Sequence, residues 1–198
     1  MTFCISCRLT QSACICEFQP KIDLLSKAEN PFILLTHETE FHKRSNTGWL
    51  LKQLIPQQIC IEKWQRRQAV HQYCSFGQDI NQPHRRPILL YPAAQANHSE
   101  RVFDCFQDEW EGRPFIGIDA TWQLAGKMYR QSKWLHDLDV WSVALPDISL
   151  FTLRRGQKQG ACSTFEVVCH ILQQRGSAEV ASQMMQYFEL FQKQYGAS

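Results

Sequence analysis

Short apolar runs of strand length recur along this chain, most of them followed by a turn signal and then by residues spaced as on one face of a helix. That alternation narrows the fold more than any other feature, because a continuous apolar run must be buried on both sides. Phe32-Ile33-Leu34-Leu35-Thr36 reads as a buried strand, and Ser45-Asn46-Thr47-Gly48 opens an apolar-periodic helix to Leu54. Ile59-Cys60-Ile61, Pro87 to Tyr91, Phe115 to Asp119 and Val140 to Leu145 read as further strands, the second stopped by Pro92 and the last by Pro146. Ser99 to Trp110 and Trp122 to Gln131 read as helices. Ser163-Thr164-Phe165-Glu166 has capping-box spacing, in which hydroxyl and carboxylate satisfy each other's backbone amides, and opens a helix to about Gln174. A last helix from about Ala178 to Gln194 carries Val180, Met184, Tyr187, Phe188 and Phe191 on one face, as a core stripe would. The expected fold class is therefore α/β, with a mostly parallel sheet and flanking helices. A length of 198 residues with 44% hydrophobic content suits one sizeable domain with a small appendage.

The appendage is N-terminal. Cys4 and Cys7 form C-x2-C, and Cys14 and Cys16 form C-x-C after a gap of six residues. Four thiolates so close in sequence can close one tetrahedral shell around zinc, the alternatives being a disulfide pair or free thiols. No signal-like segment precedes Cys4 and no apolar run is long enough to span a membrane, so a cytoplasmic protein with reduced thiols is expected. Cys60, Cys74, Cys105, Cys162 and Cys169 are scattered and read as small buried apolar residues. The expected division is a zinc-binding segment over residues 1–24 and a catalytic domain over 25–198.

A net charge of +2 does not by itself announce nucleic acid. Its local distribution says more. Basic clusters at Lys43-Arg44, Arg66-Arg67, Arg85-Arg86 and Arg154-Arg155, several near aromatics, suit phosphates and unstacked bases, although each alone also fits a solvated loop.

Asp119 asks for an explanation, because a buried strand needs no acid at its exit. In open α/β sheets, ligands bind beyond the carboxyl ends of strands. Asp119 is thus a candidate site residue, the alternative being that it or Thr121 caps the helix from Trp122 or anchors a loop.

Taken in order, the Cys4/Cys7/Cys14/Cys16 knuckle, Thr36-His37-Glu38-Thr39-Glu40, Lys43 to Gly48, Leu90-Tyr91-Pro92, Asp119-Ala120-Thr121-Trp122 with Lys127-Met128, Leu153-Arg154 and Ser163 to Glu166 form a set running through most of the chain. This set resembles the DTW-domain proteins, which include bacterial tRNA-uridine aminocarboxypropyltransferases. The family usually has proline after the histidine that matches His37, and here Glu38 stands there.

The resemblance implies a SPOUT-like α/β fold with a C-terminal trefoil knot, which sequence patterning alone would not suggest. It implies S-adenosylmethionine as donor of a 3-amino-3-carboxypropyl group, tRNA as acceptor at N3 of a uridine, for which the variable loop is the expected place, and release of methylthioadenosine. Uracil N3 must lose a proton, and Asp119, in the family's defining motif, is the candidate base. The donor site is expected from Leu90, Tyr91, Pro92, Gly117, Ile118, Thr121, Leu145, Ser163 and Thr164, with Arg154 on the donor carboxylate. Lys43, Arg44, Arg66, Arg67, Arg85, Arg86 and Arg155 are the expected tRNA contacts, on the same side as Asp119. Two other activities fit the same residues: a zinc-containing RNA-binding module without chemistry, and a SPOUT-like RNA methyltransferase. The oligomeric state stays open, a monomer being favoured.

Overall fold

The computed structural model describes residues 2–22, 30–66, 85–97, 99–145, 149–153 and 162–196. Its chain divides into two compact units. One, the sheet unit, comprises Leu24–His42 and Pro56–Ala144; the other, the helical unit, comprises Met1–Asp23, Lys43–Ile55 and Leu145–Ser198. Among the described residues the strands are β1 (Phe32–Thr36), β2 (Ile59–Lys63), β3 (Ile88–Leu90), β4 (Val102–Phe103), β5 (Phe115–Asp119) and β6 (Asp139–Trp141). The α-helices are α1 (Glu38–Phe41), α2 (Thr47–Leu54), α3 (Trp122–Gln131), α4 (Thr164–Gln174) and α5 (Ala178–Gly196).

All the strands join one sheet in the order β2-β1-β5-β3-β6-β4, and every pairing is parallel. Parallel sheets are covered on both faces, which is why β1 is apolar up to Thr36 and buried at every position. Ile33, Leu35, Leu89, Ile116 and Val140 share one face with Met128 and Tyr129 of α3 in a common core. Phe32 and Phe115 meet at 5.3 Å through neighbouring strands.

The stretch from Ser99 to Trp110, expected as a helix, is not one. It holds a 3-10 turn at Ser99–Arg101, the edge strand β4 and a second 3-10 turn at Asp108–Trp110. Phe103, Phe106 and Trp110 imitate a helical stripe in spacing. Instead Phe103 and Phe106 both meet the buried Trp110 edge-on, at 5.2 and 5.9 Å, and Phe106 also meets Trp141 at 5.6 Å. Pairing of β4 with β6 and closure of this aromatic cluster outweigh a weak helical pattern. β6 likewise ends at Trp141, short of the expected Leu145.

In the helical unit, α4 opens with the expected capping box and ends in a Schellman motif. Ser177 N–H donates to Leu172 C=O at 2.8 Å and Gly176 N–H to Gln173 C=O at 3.2 Å. Gly176 supplies the positive φ of 85° that this turn needs before α5 begins. The stripe on α5 is core: Met184, Tyr187, Phe188 and Phe191 are buried and Val180 half-buried, with Phe188 stacked on Phe165 at 4.5 Å. Of the scattered cysteines, Cys169 is buried as expected, Cys60 and Cys162 are half-buried, and Cys105 is exposed, a correction; Cys74 lies outside the described residues. Residues 146–148 and 154–161, within the C-terminal region expected to hold the knot, also lie outside them.

Candidate functional site

Strand order decides where the sheet unit can hold a ligand. The chain leaves β1 toward β2 on one side and leaves β5 through α3 toward β6 on the other. β1 and β5 are neighbours, so their carboxyl ends flank a topological switch point, where parallel sheets open a crevice. The register sets Thr36 opposite Asp119 at that edge.

Asp119 is 4% exposed, and its Oδ2 accepts from the Thr36 hydroxyl at 3.2 Å. Leu34 C=O lies 3.3 Å from the same hydroxyl, which has a single proton, and a carboxylate is the stronger acceptor. Asp119 thus ties β5 to β1. Thr121 stands at the N-cap of α3 but makes no side-chain capping bond; only its carbonyl is used, accepting from Ala125 N–H at 2.7 Å.

Around this pair lie His37 and Glu38 of the motif that follows β1, together with Trp64 and Ser132. Trp64 follows β2; its backbone N–H donates to Thr36 C=O at 3.0 Å and its indole N–H to the buried Ser132 hydroxyl at 2.8 Å. The His37 ring stacks on Trp64 with centroids 5.9 Å apart. His37 N–H donates to Asp119 C=O at 3.2 Å, while its Nδ1 accepts from Thr39 N–H at 3.2 Å, capping α1. A neutral ring therefore carries its proton on Nε2. Glu38 occupies the first position of α1, where proline and acidic residues are both favoured, so the exchange of one for the other is locally conservative. Glu38 pairs with Lys63 at the end of β2 at 2.5 Å, and that hydrogen bond holds its carboxyl below the usual range. The polar ends of the apolar runs, Thr36 and Asp119, were the available sequence signal; Trp64 was visible only as the aromatic beside the Arg66-Arg67 cluster, and nothing local pointed to Ser132.

The expected donor residues divide between the units. Leu90, Tyr91, Pro92 and Thr121 stand at or just past strand ends on the carboxyl edge that carries Asp119, while Gly117 and Ile118 lie within the second half of β5, Gly117 level with Leu90. Tyr91 is packed as core: it is buried, stacked on Tyr129 at 4.3 Å, and burial pushes its phenol up. Leu90, Pro92, Gly117, Ile118 and Thr121 are half-buried. Leu145, half-buried, and Ser163 and Thr164 belong to the helical unit. Ser163 is committed to its helix: its hydroxyl accepts from Glu166 N–H at 3.3 Å and its N–H donates to Glu166 Oε2 at 2.6 Å.

The basic residues do not share one edge. Arg66 is exposed just past β2, toward the carboxyl edge. Arg85 and Arg86 are exposed just before β3, at the amino edge, opposite Asp119, because β3 and β5 run parallel. The expectation that this pair accompanies Asp119 is therefore corrected. Arg113 holds that amino edge, donating to Arg86 C=O at 2.7 Å and to Asp139 at 2.8 Å. Lys43 and Arg44 belong to the helical unit; Lys43 is exposed and Arg44 half-buried. Arg67, Arg154 and Arg155 lie outside the described residues.

The helical unit carries the second candidate site. Cys4, Cys7, Cys14 and Cys16 bring their sulfurs within 4.8 Å of one another, a set that could hold a metal ion. Cys4 and Cys16 sulfurs lie 3.6 Å apart and Cys7 and Cys14 sulfurs 3.8 Å apart, far beyond a disulfide bond. With metal–sulfur bonds of about 2.3 Å, a tetrahedron has an edge of about 3.8 Å. The turn behind Cys7 places Arg8 at a φ of 60°, and Cys4 N–H donates to Leu9 C=O at 2.8 Å. The Cys7 N–H aimed at Cys4 brings that thiol down to about 7, whereas burial pushes Cys16 up to about 12. Beyond the sulfurs, Gln53 of α2 donates to Cys16 Sγ at 3.7 Å and to Gln19 Oε1 at 3.1 Å. Gln53 Oε1 and the Tyr187 hydroxyl are buried without a hydrogen bond of good geometry.

Among the described residues no helix is long and apolar enough to cross a membrane. No solved structure matches the chain. The family model for the DTW domain matches residues 1–196, nearly the whole length that carries the cysteine cluster, the Thr36–Asp119 pair and the Ser163 helix start, and the chain belongs to the DTW-domain family.

Proposed function

We propose that this protein is an S-adenosylmethionine-dependent tRNA-uridine aminocarboxypropyltransferase. The observation that carries the proposal is Asp119, held by Thr36 at the switch-point edge of a parallel sheet within a DTW-family chain. In this reaction uracil N3 attacks the γ-carbon of the donor's amino-acid chain. The N3–C bond forms as the C–S bond breaks, sulfur keeps the electron pair, and methylthioadenosine leaves neutral. The N3 proton passes to the Asp119 carboxylate, the positioned base. The sulfonium is already a good leaving group, so much of the remaining task is alignment. Leu90, Pro92 and Ile118 offer half-buried apolar surface for the adenosine near the same edge. The stacked rings of Trp64 and His37 offer a fixed face beside Asp119. A zinc ion in the four-cysteine cluster would order the N-terminal segment, whose own buried apolar side chains are few: Leu9 and Ile15 beside Cys7.

The test is nucleoside mass analysis of tRNA incubated with the protein and S-adenosylmethionine. A uridine carrying the aminocarboxypropyl group is the expected product. A methylated nucleoside would make the protein a methyltransferase, and unmodified tRNA that nevertheless binds would make it an RNA-binding module.

A further inference from the structure

We infer that the face of the helical unit around the cysteine knuckle is where this protein grips its RNA outside the target uridine, by stacking and covering unpaired bases. This rests on tRNA being the acceptor, as proposed above.

The two units differ in charge. The helical unit holds ten Lys and Arg against six Asp and Glu, a net of +4, whereas the sheet unit holds eleven against thirteen, a net of −2. A polyanion is attracted to the first and repelled by the second. The overall charge of +2 conceals this division.

The knuckle also carries the surface chemistry that unpaired bases need. Ile5, at the turn between the first two cysteines, is 90% exposed, and Phe3 beside it is 45% exposed. Exposed apolar side chains grouped within three positions of the chain make a candidate contact surface, which scattered ones do not. Next to them, arginine guanidinium groups sit over rings: Arg44 is 4.1 Å from the Phe3 centroid and Arg8 is 3.9 Å from the Trp49 centroid. The Arg44 Nε–H donates to Arg8 C=O at 3.0 Å, and Trp49 donates its indole N–H to Ser6 C=O at 2.9 Å. These bonds fix both planes in advance. Guanidinium planes and aromatic faces are the platforms on which splayed bases stack. Exposed Lys43 adjoins them in sequence and takes Arg8 as a donor to its carbonyl at 3.2 Å, so a phosphate contact lies at hand. The partner that fits is a single-stranded or looped RNA segment. A protein partner would account for the apolar residues but not for the guanidinium stacks and the excess positive charge.

The experiment measures binding of labelled tRNA to the full chain across a salt series, with product formation on the same samples. Ile5→Asp and Phe3→Leu should each weaken binding about tenfold, as loss of one base contact does. Lys43→Glu should weaken it and lower the slope of log affinity against log salt by about one. Lys133→Glu, an exposed site on the sheet unit, should change binding less than twofold. Far-ultraviolet circular dichroism and metal content like those of the wild type will show that the variants fold. Wild-type binding in the folded Ile5, Phe3 and Lys43 variants, with the wild type still modifying tRNA, overturns this inference alone. No tRNA binding by the wild type overturns the functional reading and this inference with it. Loss of self-association without loss of RNA binding would assign the patch to a second copy of the chain and overturn it too.

Discussion

At the scale of single residues, a substitution can separate the strand tie that Asp119 makes from the catalytic role proposed for it. As a tie between β5 and β1 it needs only an acceptor for the Thr36 hydroxyl, and an asparagine carbonyl serves. As a base it needs a carboxylate. Asp119→Asn is therefore expected to fold and bind both substrates while product formation falls by a factor of roughly 10² to 10⁴. Single-turnover assays beside equilibrium binding measure this, and full activity would reduce Asp119 to the strand tie. An acid at the end of an apolar run marked Asp119 out in the sequence, with anchorage of the next helix or a loop as the structural alternative; the tie to a second strand was not legible. Thr36 is 83 positions away in sequence, and only the pairing of β1 with β5 brings it across.

At the scale of elements, the start of α4 shows how much one side chain can organise. Glu166 accepts from Ser163 N–H at 2.6 Å, from Ser149 Oγ at 2.8 Å and from Leu150 N–H at 2.6 Å. The capping box was legible, because its partners are three residues apart. The hold on Ser149 and Leu150 was not, because those partners are brought in by folding. Glu166→Ala should cost more than a cap alone, about 3 kcal/mol from several charge-assisted bonds, whereas Ser163→Ala should cost about 1 kcal/mol. Urea denaturation of the two variants tests the order. Equal losses would mean that Glu166 acts only within its own helix. The departure at Ser99–Trp110 belongs to the same scale. Aromatic residues at helical spacing were satisfied by packing around Trp110 instead, which local periodicity cannot register.

At the scale of the whole molecule, the cysteine cluster is expected to behave as a structural metal site. Purified protein should carry about one zinc per chain, and a strong chelator should lower the thermal midpoint and open the N-terminal segment to protease. A metal-free protein with an unchanged midpoint would refute this. The pH dependence has a definite sign. Binding needs thiolates; Cys4, brought down to about 7, loses its proton readily, while Cys16, pushed up to about 12, must give one up to the metal. Affinity should therefore fall as pH falls, with protons released on loading, both measurable by titration calorimetry in two buffers. The division into a positive and a negative unit also appears only at this scale, since each unit is assembled from separate stretches of chain.

Local order was determined by the sequence itself. The bounds of β1, β5 and α3, the box that opens α4, the core stripe of α5 and the clustering of Cys4, Cys7, Cys14 and Cys16 follow from periodicity, capping and short spacing, all of which act within a few residues. Tertiary structure alone decided the strand order, and with it everything that depends on which ends are neighbours. It put β5 between β1 and β3, set Asp119 against Thr36, brought Trp64 to Ser132, and sent Arg85 and Arg86 to the edge away from Asp119. Those choices rest on the burial of apolar faces contributed by distant segments, and no window of neighbouring residues contains both partners.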